Sequence, residues 1–330
     1  MKYKSLGTTG IKVSELCFGT MSFGGDADEA EAGRMFKACR DRGINFFDCA
    51  DVYSGGKSEQ ILGRVMAGER DDLIITTKCH GPTSDDINAR GANRRHITSA
   101  VEASLKRLNT DRIDVLFMHR FDNNLPLEET LRALENVVQS GKVLHIGGSN
   151  YAAWQVSKAL GISERRGWSR IDVIQPMYSL VKRQVEVEIL PMAEAENVGV
   201  IAYSPNGAGM LSGKYGLNER PNEGRLVADK RYASRYGADG TYETAAAFTQ
   251  FARDMGVHPV SLAAAWVGGH SAITAPIIGA RNVDQLAPAL DSVNIDMTPE
   301  LRAEISALSP EPPPATDRLE ERAGLKGPTG

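Results

Sequence analysis

Short apolar runs alternate with stretches of helical periodicity along most of the chain. Eight runs read as strands: near Leu16–Gly19, Asn45–Phe47, Leu73–Thr77, Val115–Met118, Val143–Gly147, Val173–Gln175, Val198–Ala202 and Ala275–Ile278. Strands this apolar are expected to be buried. Helical spacing fills the gaps. From Arg94 to Asn109, Ile97, Ala100, Val101, Leu105 and Leu108 fall on one helical face. Gly43 stands where the first helix should stop, and Thr298-Pro299-Glu300 reads as a helix start. Ahead of the first of these strands, Tyr3 to Leu6 and Ile11 to Val13 flank Gly7-Thr8-Thr9-Gly10. That pattern predicts a hairpin, placed to plug the bottom of a barrel.

Alternating strands and helices imply a parallel sheet with right-handed crossovers. Eight units favour closure into a (β/α)8 TIM barrel, here with an N-terminal hairpin and a long loop after strand 7. The runner-up, a doubly wound sheet, requires a glycine fingerprint after an early strand, and none is present there. The expectation is one barrel domain over 1–330, with an extended tail over 310–330 that contains Pro312-Pro313-Pro314. Residues 205–241 interrupt the alternation and are rich in Gly, Asn, Arg and Tyr. Long loops of this kind are usually functional, so this one is read as a cofactor or substrate cover.

Composition narrows the partners. Hydrophobic residues make up 42% of the 330, and 38 basic residues against 42 acidic ones leave a net charge of −4. There is no basic stripe, so no nucleic-acid partner is expected. No signal-length apolar stretch opens the chain, and no run approaches ~18 apolar residues, so no membrane span is expected and the location is read as cytoplasmic. Cys17, Cys39, Cys49 and Cys79 lack metal or redox spacing and are read as reduced packing thiols, with no metal site. The acidic group Asp26, Asp28, Glu29 and Glu31 reads as the solvated start of the first helix.

Chemistry concentrates at strand ends. Asp48 and Tyr53 follow the second strand, Lys78 the third and His119 the fourth. In a parallel barrel these groups converge on the C-terminal face, where active sites lie. A tyrosine in water has a pKa of ~10 and is a poor proton donor near neutrality. A neighbouring ammonium is expected to lower it, Asp48 to hold Lys78 charged and in place, and His119 to donate or relay a proton. Such a set suits general acid catalysis on a carbonyl, with a cofactor supplying hydride.

The segment Asp48-Cys49-Ala50-Asp51-Val52-Tyr53 followed by Ser58-Glu59, together with Thr77-Lys78 and Met118-His119, resembles the aldo-keto reductase family over nearly the whole chain. The resemblance implies Tyr53 as proton donor, tuned by Lys78, Asp48 and His119. It also implies a nicotinamide site at Gly19, Thr20, Met21 and Asp48, with Ser149, Asn150 and Gln175 on the carboxamide and Tyr203 stacked on the ring. Ser204, Pro205, Asn206, Gly209, Leu211, Ser212, Gly213 and Lys214 are similar to the pyrophosphate-crossing segment, and Gly279, Arg281 and Gln285 to the adenosine end. Arg281 can pair with a 2′-phosphate, which argues for NADPH/NADP+ over the unphosphorylated form. Asn206, Ala289 and Gly148 depart from the residues more usual at their positions.

Two other signals are discounted. Gly207-Ala208-Gly209-Met210-Leu211-Ser212-Gly213 approximates a dinucleotide fingerprint, but it lies late in the chain and no helix follows. Tyr53/Lys57 and Tyr178/Lys182 match a Tyr-x-x-x-Lys pair by coincidence. The leading reading is reversible NADPH-dependent reduction of an aldehyde or ketone. The alternative is a nucleotide-bound sensor or channel-associated subunit with slow turnover. The partner is a small carbonyl compound, with Met21, Phe23, His80, Arg120 and Phe121 as pocket candidates. Arg120 is expected to pair with Asp122, the alternative being recognition of an acidic group. Oligomeric state is not legible.

Overall fold

A computed structural model describes residues 1–217, 221–222, 224–238 and 240–321. Its strands are β1 (Tyr3–Ser5), β2 (Lys12–Ser14), β3 (Cys17–Gly19), β4 (Phe46–Asp48), β5 (Ile74–Cys79), β6 (Ile113–Met118), β7 (Val143–Ser149), β8 (Ile171–Gln175), β9 (Gly199–Ala202) and β10 (Ala275–Ile278). β1 and β2 form an antiparallel hairpin, while β3 to β10 run in chain order around a closed parallel barrel, with β10 pairing back to β3. Helices lie between the barrel strands. This is the (β/α)8 architecture read from the alternation.

Strand alternation sorts side chains into two cores. Phe46, Val115, Phe117, Val173 and Ile201 fill the interior, whereas Phe47, Ile75, Leu116 and Met118 face the helices. The hairpin contributes Leu6 and Val13 to the interior set. It closes the base at close range: a Cβ on Gly7, whose φ is +53°, would lie 2.7 Å from the nitrogen of Gly199.

Helix boundaries follow capping chemistry. Asp28 caps Glu29–Asp41 by accepting from the Glu31 nitrogen, so the acidic cluster does open that helix. Arg94–Leu108 starts on Asn93 and ends on Asn109 in the left-handed conformation. Thr298 caps Pro299–Ser306. The segment after β9 differs from the single long loop expected. Its described residues form a short turn at Gly207–Gly209 and helices at Arg225–Ala228 and Lys230–Tyr236. Within the expected loop and tail, 218–220, 223, 239 and 322–330 lie outside the described residues.

All four cysteines are free and buried. Burial pushes the Cys49 thiol up to about 12 and raises the other three as well, which makes them packing groups. Among the described residues no helix is long and apolar enough to cross a membrane, and no cluster of His, Cys, Asp or Glu could hold a metal ion.

The interior tolerates little added volume where β6, β7 and β8 meet. A Cβ on Gly147 would lie 2.5 Å from the Phe117 ring and 2.7 Å from the Val173 carbonyl oxygen. Gly147→Ala should therefore cost about 1–3 kcal/mol in urea unfolding; an unchanged midpoint would show that this contact is not tight.

Candidate active site

The four strand-end residues meet at the C-terminal mouth of the barrel. On β4, Asp48 points inward, and on β5, Thr76 and Lys78 do the same two residues apart. The Lys78 Nζ donates to Asp48 Oδ2 at 2.6 Å, to the Cys49 carbonyl at 2.6 Å and to the Tyr53 hydroxyl at 3.3 Å. Asp48 Oδ1 accepts from Thr76 Oγ1 at 2.7 Å and from the Gln175 amide at 2.8 Å. Every polar atom of the buried pair is thus satisfied. Burial pulls the Lys78 ammonium down, but Asp48 and Tyr53 outweigh it, and the group is held above its ordinary value.

Tyr53 reaches this pair from a tight turn, Tyr53–Gly56. Ser54 and Gly55 there are left-handed, and Gly56 at φ 89° leads into helix Lys57–Val65. That helix is fixed from beneath by Glu59. Its fully buried carboxylate accepts from Thr77 Oγ1 at 2.6 Å and from Arg107 Nε at 2.6 Å. The sequence-based expectation for the phenol is corrected here. Burial pushes Tyr53 up to about 12, and the Lys78 ammonium only draws it partway back. Tyr53 therefore keeps its proton throughout the neutral range. That retained proton is what a general acid needs, because an alkoxide is a far stronger base than a phenolate.

The His119 ring meets Tyr53 edge-on, with centroids 6.1 Å apart. Burial, then the charges of Lys78, Arg120 and His80, bring its pKa down to about 3. Its imidazole is neutral near pH ~7, so it can donate one N–H but carries no charge.

The remaining candidates are placed as follows. Thr20 is buried, bonded to the Asp48 carbonyl at 3.0 Å and to Ser58 at 3.0 Å. Ser149 donates to the Gln175 carbonyl at 3.0 Å, and Asn150 joins the His119 carbonyl (2.9 Å) to the Tyr203 hydroxyl (2.7 Å). Gly19 ends β3, and Met21 is 38% exposed beside it. Ser204 is left-handed, Pro205 is buried, and Asn206 Oδ1 is buried without a partner among the described residues. Ser212 donates to the Gly209 carbonyl, Leu211 is buried, Gly213 turns at positive φ and Lys214 is exposed. Gly279 is exposed after β10, and Gln285 accepts from the Arg281 nitrogen. Arg281 forms an exposed ion pair with Asp26 at 3.1 Å.

Two pocket expectations are corrected. Phe23 is fully buried against Phe18, at 5.8 Å between centroids, so it packs in the core instead of lining an open surface. Arg120 forms no ion pair with Asp122. The Asp122 oxygens instead accept from the Ala92 and Asn124 nitrogens, each at 3.0 Å. His80 and Phe121 do lie at this end of the barrel, just beyond β5 and β6, and Phe121 meets the Tyr151 ring edge-on with centroids 5.3 Å apart.

Thr76, the Cys49 carbonyl and Arg107 were missed. Thr76 had a signal, since strand period two places it on the face of Lys78. Asp51 lies within the Asp48–Tyr53 segment, and nothing in the sequence pattern assigns it a role. Its side chain is buried, neither oxygen makes a well-formed hydrogen bond to a described residue, and burial with nearby Glu59 raises it to about 7.

In the unfolded chain an aspartate titrates near ~3.9. Between that value and about 7 the folded protein holds a proton that the unfolded chain has lost, so stability from this group falls as pH rises through the window. Asp51→Asn mimics the protonated form. It should match wild type near pH ~4 and unfold at about 2–4 kcal/mol higher free energy near pH ~8. Urea titrations at both pH values check this, and a constant offset would mean that Asp51 does not titrate there.

The sequence profile of the Aldo/keto reductase family matches residues 15–310. An uncharacterized oxidoreductase of Bacillus subtilis, YrpG, is 36% identical over 94% of this chain and 97% of its own length. A probable voltage-gated potassium channel subunit beta of Arabidopsis thaliana is 36% identical over 89% of this chain and 92% of its own. Versiconal hemiacetal acetate reductase of Aspergillus parasiticus is 32% identical over 91% and 94%.

Proposed function

The chain belongs to the aldo-keto reductase family, and on that premise we propose that it reduces an aldehyde or ketone to the alcohol, reversibly, with NADPH as cofactor. The observation that carries this reading is the buried contact of Lys78 Nζ with both Asp48 and the Tyr53 hydroxyl. Tyr53 holds a proton at the mouth of the barrel and gives it to the substrate oxygen as charge develops there. Lys78, charged and immobilised by Asp48, stabilises the phenolate that remains. The neutral His119 N–H orients the carbonyl oxygen.

When bound, the nicotinamide supplies the hydride. Residues of the chain fit such a cofactor. Asn206 Oδ1 is a buried acceptor lacking a partner among the described residues, which suits an amide or hydroxyl donor. Ser149, Asn150 and Gln175 cluster beside Tyr203, with polar atoms for a carboxamide and an aromatic face for its ring. Lys214 and Arg281 are exposed cations suited to phosphates, and Arg281 would exchange Asp26 for a 2′-phosphate.

A second reading comes from the relatives named as channel beta subunits: a nucleotide-bound subunit with slow turnover. Steady copurification with a membrane partner, at negligible turnover, would favour it. The intact Asp48–Lys78–Tyr53 contact favours the enzyme.

Following loss of reduced-nicotinamide absorbance across a carbonyl panel tests the reading. Tyr53→Phe should lower kcat by about 10²- to 10⁴-fold while NADPH binding, read by fluorescence, persists. Turnover retained in that variant would remove Tyr53 from the mechanism. Arg281→Ala should raise KM for NADPH about tenfold or more and leave that for NADH nearly unchanged; equal effects on both cofactors would place the 2′-phosphate elsewhere.

A further inference from the structure

Arg120 follows His119 directly beyond β6, and it is exposed. It makes no ion pair or hydrogen bond with any described residue. Its sequence neighbour Asp122, the obvious counter-ion, is already engaged by two backbone N–H groups and lies 4.0 Å from the His80 Nε2. An exposed arginine is ordinary in itself. This one differs because its charge acts inward, pulling down the pKa of both His119 and His80. The His119 backbone N–H also donates to the Cys79 carbonyl at 3.0 Å, so His80 and Arg120 leave from the ends of neighbouring strands.

His80 supplies a second observation. Both of its ring nitrogens are buried, and neither makes a well-formed hydrogen bond to a described residue. A buried donor without a partner is costly. A neutral imidazole N–H next to an unpaired guanidinium is a ready-made pair of donors for an anion. The deeper charges do not compete, since Lys78 is already neutralised by Asp48. Across the mouth, Arg235 packs 5.1 Å from the Tyr232 ring, and its charge reaches Tyr203. Among the described residues neither Arg120 nor Arg235 forms an ion pair; Asp122 is the carboxylate whose charge faces Arg120 and His80, and the floor beneath is neutralised. Apolar surface adjoins the rim: Trp154 is 59% exposed and lies 5.9 Å from Phe121.

We propose that Arg120, with His80 beside it, forms an anion subsite, and that the substrate is a carbonyl compound bearing a carboxylate or phosphate. This inference rests on the reductase reading for its carbonyl. The subsite itself is a claim about binding alone. Arg120 would bind the anionic group through its planar fork and so hold the carbonyl at Tyr53.

Matched substrates test it in the cofactor-loaded protein. One arm compares 4-carboxybenzaldehyde with its methyl ester, the other glycolaldehyde phosphate with glycolaldehyde. The anionic member should be preferred in kcat/KM by about tenfold or more in at least one arm, and the arm that responds identifies carboxylate or phosphate. Arg120→Gln should reduce that ratio about tenfold or more, chiefly through KM, and Arg120→Lys should restore part of it. Ratios near one in both arms, or a ratio unmoved by Arg120→Gln, would overturn the proposal. If no carbonyl is turned over, the reductase reading fails, and calorimetry with benzoate and inorganic phosphate decides the subsite separately. Binding to wild type that is lost in Arg120→Gln supports it. Equal binding in both proteins, or none, overturns it.

Discussion

A lysine ammonium buried to 1% exposure constrains everything around it. Removing such a charge from water costs several kcal/mol, and only close partners offset the cost. Lys78 has three acceptors, and Asp48 in turn has three donors. These partners come from β4, β5, β8 and the Tyr53 turn. The barrel has to be closed before the pair is satisfied, because Gln175 reaches Asp48 from 127 residues away. Fold and site therefore stabilise each other. Removing either charged partner would leave the other buried and alone, the more damaging outcome.

The same strands carry a second polar layer on their outer face. Thr76 and Lys78 point into the barrel, while Thr77 between them bonds Glu59. Glu59 and Arg107 join two helices to β5 and so hold the turn that presents Tyr53. Alternation along one strand thus sets both the ammonium and, through Glu59, the phenol it touches. Near them, Asp51 is a buried acid whose pKa is raised by burial and by the charge of Glu59.

Charge is distributed differently with depth. In the floor, opposite charges cancel and His119 is neutral. At the rim, Arg120 forms no ion pair among the described residues, although the Asp122 carboxylate feels its charge, and Arg235 stands against an aromatic ring. The floor is built by strand ends and the rim by the residues that follow them. Chemistry common to the family and selection of a particular substrate can therefore be carried by different parts of the same mouth.

Much was already determined by local sequence. All eight barrel strands, the hairpin, the helix starts at the acidic cluster and at Thr298, and the four residues at or just beyond the strand ends follow from short-range apolar pattern and capping chemistry. These properties reside within a few neighbouring residues, so they are legible without a fold. What only the tertiary structure decided is pairwise. It gave Arg120 no partner where adjacency suggested Asp122, and it sent Phe23 into the core instead of the pocket. It placed short helices in the segment after β9 and recruited Thr76 and the Cys49 carbonyl to the ammonium and its counter-ion. It also pushed Tyr53 up where a neighbouring lysine alone would have brought it down. Desolvation and hydrogen-bond partnership depend on which distant segments close around a group, and that is a property of the folded barrel, not of any stretch of its chain.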